Sequence, residues 1–157
     1  MLRATLNHLL PTAIMRGTLA AALFALQTGH ALAQPLTSAA LEKWLAGYER
    51  AWESRDAARA AELFTTSASY HEMPFDAPKT GQAGIREYWS SVTADQRDID
   101  FKSQIISVTG QTGVVHWSAT FTAASTGARV ELDGIFVLKF DADGRCSELR
   151  EWWHLKP

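Results

Sequence analysis

Near residue 98 the apolar positions of this chain change their period, and that change restricts the fold more than any other feature. Upstream, Leu41, Trp44, Leu45, Tyr48 and Trp52 recur at the spacing of one helix face. Ser38 is placed to cap that helix and Ser54-Arg55 to end it, and Asp56 caps a second, Ala-rich helix from Ala57 to Phe64. Ser67 to Glu72 reads as a short strand, and Pro74, Pro78 and Gly81 mark a loop. A third helix is predicted from about Gln82 to Thr93, with Ile85, Tyr88, Trp89 and Val92 on one side. Downstream the pattern belongs to strands. Val115, Trp117, Ala119 and Phe121 alternate with His116, Ser118, Thr120 and Thr122. Gly110 to Gly113, Ser125 to Gly127 and Asp141 to Gly144 supply hairpin turns. Val130 to Phe140 turns apolar on both parities in its second half, which predicts a central strand covered on both faces. Cys146 to His154 is the last strand. Three helices followed by a run of strands define an α+β domain: a cone of curved antiparallel sheet whose helices enclose an apolar pocket.

The first 33 residues read differently. Arg3 and Arg16 are their only formal charges, an apolar run follows from Leu19 to Leu26, and Ala31-Leu32-Ala33 precedes Gln34. A positive start, a short apolar core and an A-x-A site predict a secretory signal cut after Ala33, with Met1 or Met15 as its start. Residues 34–38 are then a linker and 39–157 the domain, secreted or periplasmic. Cleavage removes two Arg and no acid, taking the net charge from −2 to −4. Nucleic-acid binders carry a basic face, so no nucleic-acid partner is expected, and no membrane association after cleavage. The lone Cys146 has no internal disulfide partner.

Four segments carry a resemblance when taken in order. They are Leu45-x-x-Tyr48-x-x-Ala51-Trp52, then Gly81-x-x-Gly84-Ile85-Arg86-Glu87-Tyr88-Trp89, then Gly134 to Gly144, then Leu149-Arg150-Glu151-Trp152-Trp153. Across residues 39–154 the chain resembles the nuclear transport factor 2-like superfamily, in its SnoaL-like (polyketide-cyclase-like) and ketosteroid-isomerase-like branch. That resemblance implies the helix-covered cone, a homodimer and a small hydrophobic ligand. It places Tyr48 where ketosteroid isomerases have an oxyanion-hole Tyr and Glu72 where they have a carboxylate base. The second, protonated acid of those enzymes falls on Phe136 here. Asp133 lies nearby on the opposite parity.

The candidate catalytic residues are therefore Glu72 and Tyr48, each with a structural alternative. His71 and Glu72 are adjacent on a strand and point to opposite faces. Glu72 is either a general base facing the hollow or a structural acid bonded to loop amides near Pro74 or to Arg86. A carboxylate facing an apolar hollow is pressed toward its neutral form, which suits proton transfer. Tyr48 is a pocket donor or a core Tyr bonded to backbone. Trp52, Trp89, Trp117, Phe121, Phe136 and Trp153 are candidate ligand-binding walls, or plain core. Glu151 shares parity with Leu149 and Trp153, so it either reaches the hollow or crosses the sheet to Lys102 or Arg129. No H-x-x-H or Cys pair points to a metal, and no phosphate loop or nucleophile elbow to a cofactor or acyl enzyme. The expected function is cofactor-free acid–base chemistry of isomerase, dehydratase or cyclase type on a small hydrophobic molecule, or binding without turnover in the same pocket, or a structural dimerisation domain with a filled core.

Overall fold

A computed structural model describes residues 35–157. The predicted signal and its cleavage site lie outside the described residues. Helix α1 runs from Ser38 to Glu53 and α2 from Ala57 to Glu62. Strand β1 covers Phe64–His71 and a short β2 covers Lys79–Thr80. Helix α3 spans Gly81–Val92, and one 3-10 turn, Thr93–Asp95, leads into the long strands. These are β3 (Gln96–Thr109), β4 (Thr112–Ala123), β5 (Arg129–Phe140) and β6 (Cys146–Leu155). They form one six-stranded sheet in the order β2-β1-β6-β5-β4-β3.

Local chemistry sets the element ends. Thr37, one residue before the expected cap, accepts from the Ala40 amide at 3.1 Å through its side chain. Ser38 is already helical. Asp56 caps α2 as read, its Oδ1 accepting from Arg59 N at 3.0 Å. That helix stops at Glu62, before Phe64, because Phe64 enters the sheet opposite Cys146. Strand β1 accordingly starts three residues earlier than its polar stretch suggests, and Glu72 falls just beyond its end. Gly81 adopts φ +66°, and a Cβ there would come within 2.9 Å of the Thr66 carbonyl oxygen, so the entry to α3 requires glycine.

Every neighbouring pair of strands is antiparallel except β1 and β6, which run parallel. This pairing joins the first long strand to the last and differs from the purely antiparallel sheet expected. The register of β3 against β4 slips between Arg97 and Asp100 and again between Ile105 and Ser107. Asp98 takes φ +52° at the first slip. Such bulges bend a strand and raise its twist, which helps the sheet wrap around the helices.

On β4 the alternation holds as read: Val115, Trp117 and Ala119 are buried, and their neighbours are half-buried on the other face. Strand β5 is central, but its outer face is covered only in part. Phe136 and Leu138 are fully buried, whereas Ile135 and Val137 are half-buried and Lys139 is exposed. The core is aromatic. Tyr48 alone contacts the rings of Trp44, Trp52, Trp89, Phe101 and Phe136, with centroids 5.2–5.5 Å away for all but Trp52 at 6.1 Å. Edge-to-face and offset pairs of this kind add roughly 0.5–1.5 kcal/mol each beyond area burial.

Candidate functional site

Between α1, α3 and the concave face of the sheet lies a cavity of about 260 Å³. It is larger than the ~150 Å³ apolar hole that accepts a single benzene ring, so the domain is not a filled core. Of the aromatics expected to wall it, Trp52, Trp89, Trp117, Phe121 and Trp153 do line it. Phe136 does not. It is fully buried behind the wall, stacked on Trp117 at 5.1 Å and against Tyr48 at 5.4 Å. Trp117 in turn lies flat on Gly134, where a Cβ would come within 2.8 Å of its ring.

The polar equipment is concentrated at the β1–β6 side. Tyr48, on the apolar stripe of α1, and Tyr70, on β1, share a hydrogen bond of 3.2 Å between their hydroxyls. The Tyr70 hydroxyl donates to Glu151 Oε1 on β6 at 3.0 Å. With its proton committed to Glu151, Tyr70 receives that of Tyr48. The three groups form a buried chain from helix to sheet, with Tyr48 1 %, Tyr70 2 % and Glu151 6 % exposed. Burial, reinforced by the nearby Glu151 charge, raises both phenols well above their ordinary range, so both stay neutral.

Glu72 is half-buried at the mouth of the cavity. Burial, with the charges of Glu151 and Glu72 nearby, raises the Tyr88 phenol on α3 far above its ordinary range, so the group beside Glu72 is Tyr88 rather than Arg86, which is exposed. Helix α3 is tied to β1 by Gln82, whose Nε2 donates to the Phe64 carbonyl at 2.9 Å. That tie brings the Tyr88 and Tyr70 rings to 5.1 Å. Each carboxylate thus has its own tyrosine, and the two tyrosines touch.

Glu151 differs from the expected cross-sheet ion pair. Lys102 pairs with Asp100, Arg129 bonds Thr120, and Glu151 lies inside against Tyr70. Burial pushes its carboxyl up to about 8, opposed by the Tyr70 bond and aided by the Glu72 charge. The heavily desolvated acid of this site is therefore Glu151. It stands directly across from Phe136 in the β5–β6 register. An acid accordingly occupies the region where the residue match left only a phenyl ring, displaced by one strand.

Sequence reasoning gave no role to Tyr70, Gln96 or Tyr88. Tyr70 shares parity with Glu72 two residues on, which was the available signal. Gln96 carried none, because its position depends on Trp52, whose Nε1 donates to Gln96 Oε1 at 2.8 Å. Trp89 and Trp117 keep buried Nε1 atoms without a hydrogen-bond partner. No grouping of three His, Cys, Asp or Glu side chains that would hold a metal occurs among the described residues. No helix among them is long and apolar enough to cross a membrane.

A curved sheet wrapped by N-terminal helices around such a cavity defines the nuclear transport factor 2-like class. The chain belongs to the SnoaL-like domain family, whose model matches residues 45–149. Among curated proteins none matches the sequence. Solved structures share the fold at low identity. A putative isomerase from Bacillus subtilis is 17 % identical with a TM-score of 0.66, over 74 % of this chain and 87 % of that one. The epoxide hydrolase/cyclase-like enzyme SalBIII, of pyran ring formation in the polyether salinomycin, is 20 % identical with a TM-score of 0.63, over 72 % and 89 %. A protein of ketosteroid isomerase-like fold from Catenulispora acidiphila, in complex with trimethylamine, is 11 % identical with a TM-score of 0.62, over 70 % and 84 %.

Proposed function

We propose that this SnoaL-like protein is an exported, cofactor-free acid–base enzyme acting on a small hydrophobic molecule, by isomerisation, dehydration or cyclisation. One observation carries the reading: two carboxylates, Glu72 and Glu151, face a single apolar cavity in environments of opposite kind. A deeply buried carboxyl beside one at a half-open mouth is an arrangement that can divide acid and base roles. Glu72, at the half-open mouth, is the base. It takes a proton from the carbon beside a carbonyl, or from the hydroxyl that closes a ring. Glu151, held neutral below about pH 8, gives its proton or a strong hydrogen bond to the oxygen that gains charge. Tyr48 and Tyr70 hold that carboxyl in place and supply polarity to the oxyanion through their chain. Trp52, Trp89, Trp117, Phe121 and Trp153 exclude water, and Phe136 backs Trp117 from behind. The enzyme and isomerase-like names among the structural neighbours support this class of chemistry.

The test is turnover on a panel of cyclic enones, hydroxy ketones and epoxy alcohols. Glu72→Gln is expected to lower kcat by about 10²–10⁴-fold, the usual contribution of a positioned proton-transfer group, with melting temperature and ligand affinity preserved. Equal kcat in the variant would remove Glu72 from the chemistry, and binding without turnover of any panel member by the wild-type protein would leave a binding module, the alternative reading of the same cavity.

Two further features belong to this reading. Export follows from the predicted cleavage after Ala33, and N-terminal sequencing of periplasmic protein should begin at Gln34. A homodimer is expected through the outer face of the sheet, where Trp152 is 47 % exposed beside half-buried Ile135 and Val137. Contiguous apolar surface of this kind marks association sites. Light scattering at micromolar concentration should give twice the monomer mass, and Trp152→Glu should shift it toward one.

A further inference from the structure

The carboxylates occupy only one side of the cavity. On the sheet, Glu151 belongs to β6 and Gln96 to the edge strand β3, with β5 and β4 between them. Gln96 lines the same cavity and is 7 % exposed. Its carboxamide has a settled orientation. The Trp52 indole nitrogen is a donor only, so the 2.8 Å contact with Gln96 must fall on the amide oxygen. The amide nitrogen then faces away from Trp52 with two N–H donors. No acceptor among the described residues bonds it, and it is not among the sealed, partnerless atoms as the indole nitrogens of Trp89 and Trp117 are. It is therefore not sealed in protein, and the residue that carries it lines the cavity. A ligand that fills the cavity without offering this donor an acceptor leaves it unsatisfied at a cost of about 1–3 kcal/mol, and a ligand oxygen avoids that cost.

We infer that Gln96 is a substrate-positioning residue, and that the substrate is a neutral one- or two-ring molecule carrying an uncharged oxygen acceptor that binds the Gln96 amide. The inference rests on the proposal that this cavity holds the substrate and deepens it by naming the class. Size follows from the cavity, which at about 260 Å³ exceeds a one-ring hole but leaves little room for a four-ring skeleton. Neutrality follows from charge. The lining side chains among the described residues include Glu72 and Glu151 and no Lys, Arg or His, so a carboxylate or phosphate on the ligand would meet no opposite charge. The oxygen requirement follows from the Gln96 donor, which no acceptor among the described residues matches. With the reacting carbon between Glu72 and Glu151, the Gln96 contact fixes which end of the ring system meets the acids.

The probes are α-tetralone, its hydrocarbon analogue tetralin, and the anion 2-naphthoate, titrated against the intact protein by calorimetry. Tetralone is expected to bind at least about tenfold tighter than tetralin, the low-to-middle range for satisfying one buried donor, and 2-naphthoate weakest of the three. In Gln96→Leu the preference for tetralone should fall to near unity while tetralin affinity holds. An unchanged preference in that variant overturns the inference, as does tight binding of the anion. Leu also removes the Trp52 acceptor, so a second measurement protects against misfolding. In ¹⁵N-labelled wild-type protein, the Gln96 side-chain NH₂ resonances should shift with tetralone and not with tetralin. Equal or absent shifts with both overturn the assignment. None of these readouts uses turnover. The acid–base proposal fails through Glu72→Gln kinetics with Gln96 binding intact, and the Gln96 inference fails through these titrations with kinetics intact.

Discussion

Glu151→Gln is expected to abolish turnover and at the same time to flatten the pH dependence of stability. The buried carboxyl is raised from 4.5 to about 8 in the folded protein, with desolvation as the main cause. Between those values the native state keeps a proton that the unfolded chain has released. Stability therefore falls as pH rises from about 4.5 to about 8, and changes no further on this account above that. At about 1.36 kcal/mol per pH unit, the full loss has an upper bound of roughly 5 kcal/mol. Gln keeps the amide oxygen that accepts from Tyr70 and removes the titration. The variant should equal wild type in urea midpoint at pH 4–5 and exceed it by pH 8–9. A wild-type midpoint as flat as that of the variant would show that Glu151 is ionised in the native state, and the acid role would go with it. On the acid–base proposal the same titration sets the upper limb of the rate profile, and kcat/KM is expected to fall through about pH 8.

Phe136→Asp, which writes the missing second acid of the ketosteroid isomerases into its matched position, is expected to unfold the domain rather than extend its chemistry. Phe136 is fully buried and packs on Trp117, Tyr48 and Phe101. Losing the ring costs about 3–5 kcal/mol for the cavity alone. The new carboxyl enters aromatic packing and stands across from Glu151 in the β5–β6 register, so its burial adds several kcal/mol more. The sum approaches the whole stability of a domain this size, about 5–15 kcal/mol. Denaturation followed by circular dichroism should show no folded baseline at pH 7. A variant folded with less than about 2 kcal/mol of loss would mean that the site has room there, and that the acid position had not moved to Glu151.

What the sequence disclosed and what it withheld divide along the distance between partners. Tyr48 was legible because its neighbours on α1 lie three and four residues away, and the inward set of β4 because alternation is local. Glu151 was half legible. Its parity with Leu149 and Trp153 put it on the inner face, but its partner Tyr70 is 81 residues away, and nothing local favours a tyrosine over a lysine across the sheet. Gln96 was invisible for the same reason, held by Trp52 from 44 residues away. The parallel β1–β6 pair was missed because turn signals announce only hairpins between consecutive strands. The ring of Phe136 looked like pocket wall because aromatic type does not distinguish the first layer from the second.

The strand order has an effect on assembly. Because β6 lies between β1 and β5, residues 146–155 are not a trim at the margin of the sheet but the seam that joins its two parts. A chain halted at Gly144 would hold a β3–β4–β5 meander and a separate β1–β2 pair, each with an open edge and neither with Glu151. Cooperative folding must then wait for the most distant segment, a high-contact-order step that slows the search. The same geometry marks a natural cut: a 1–144 fragment lacks the strand that carries Glu151, and that carboxyl reaches the cavity only when residues 145–157 are added.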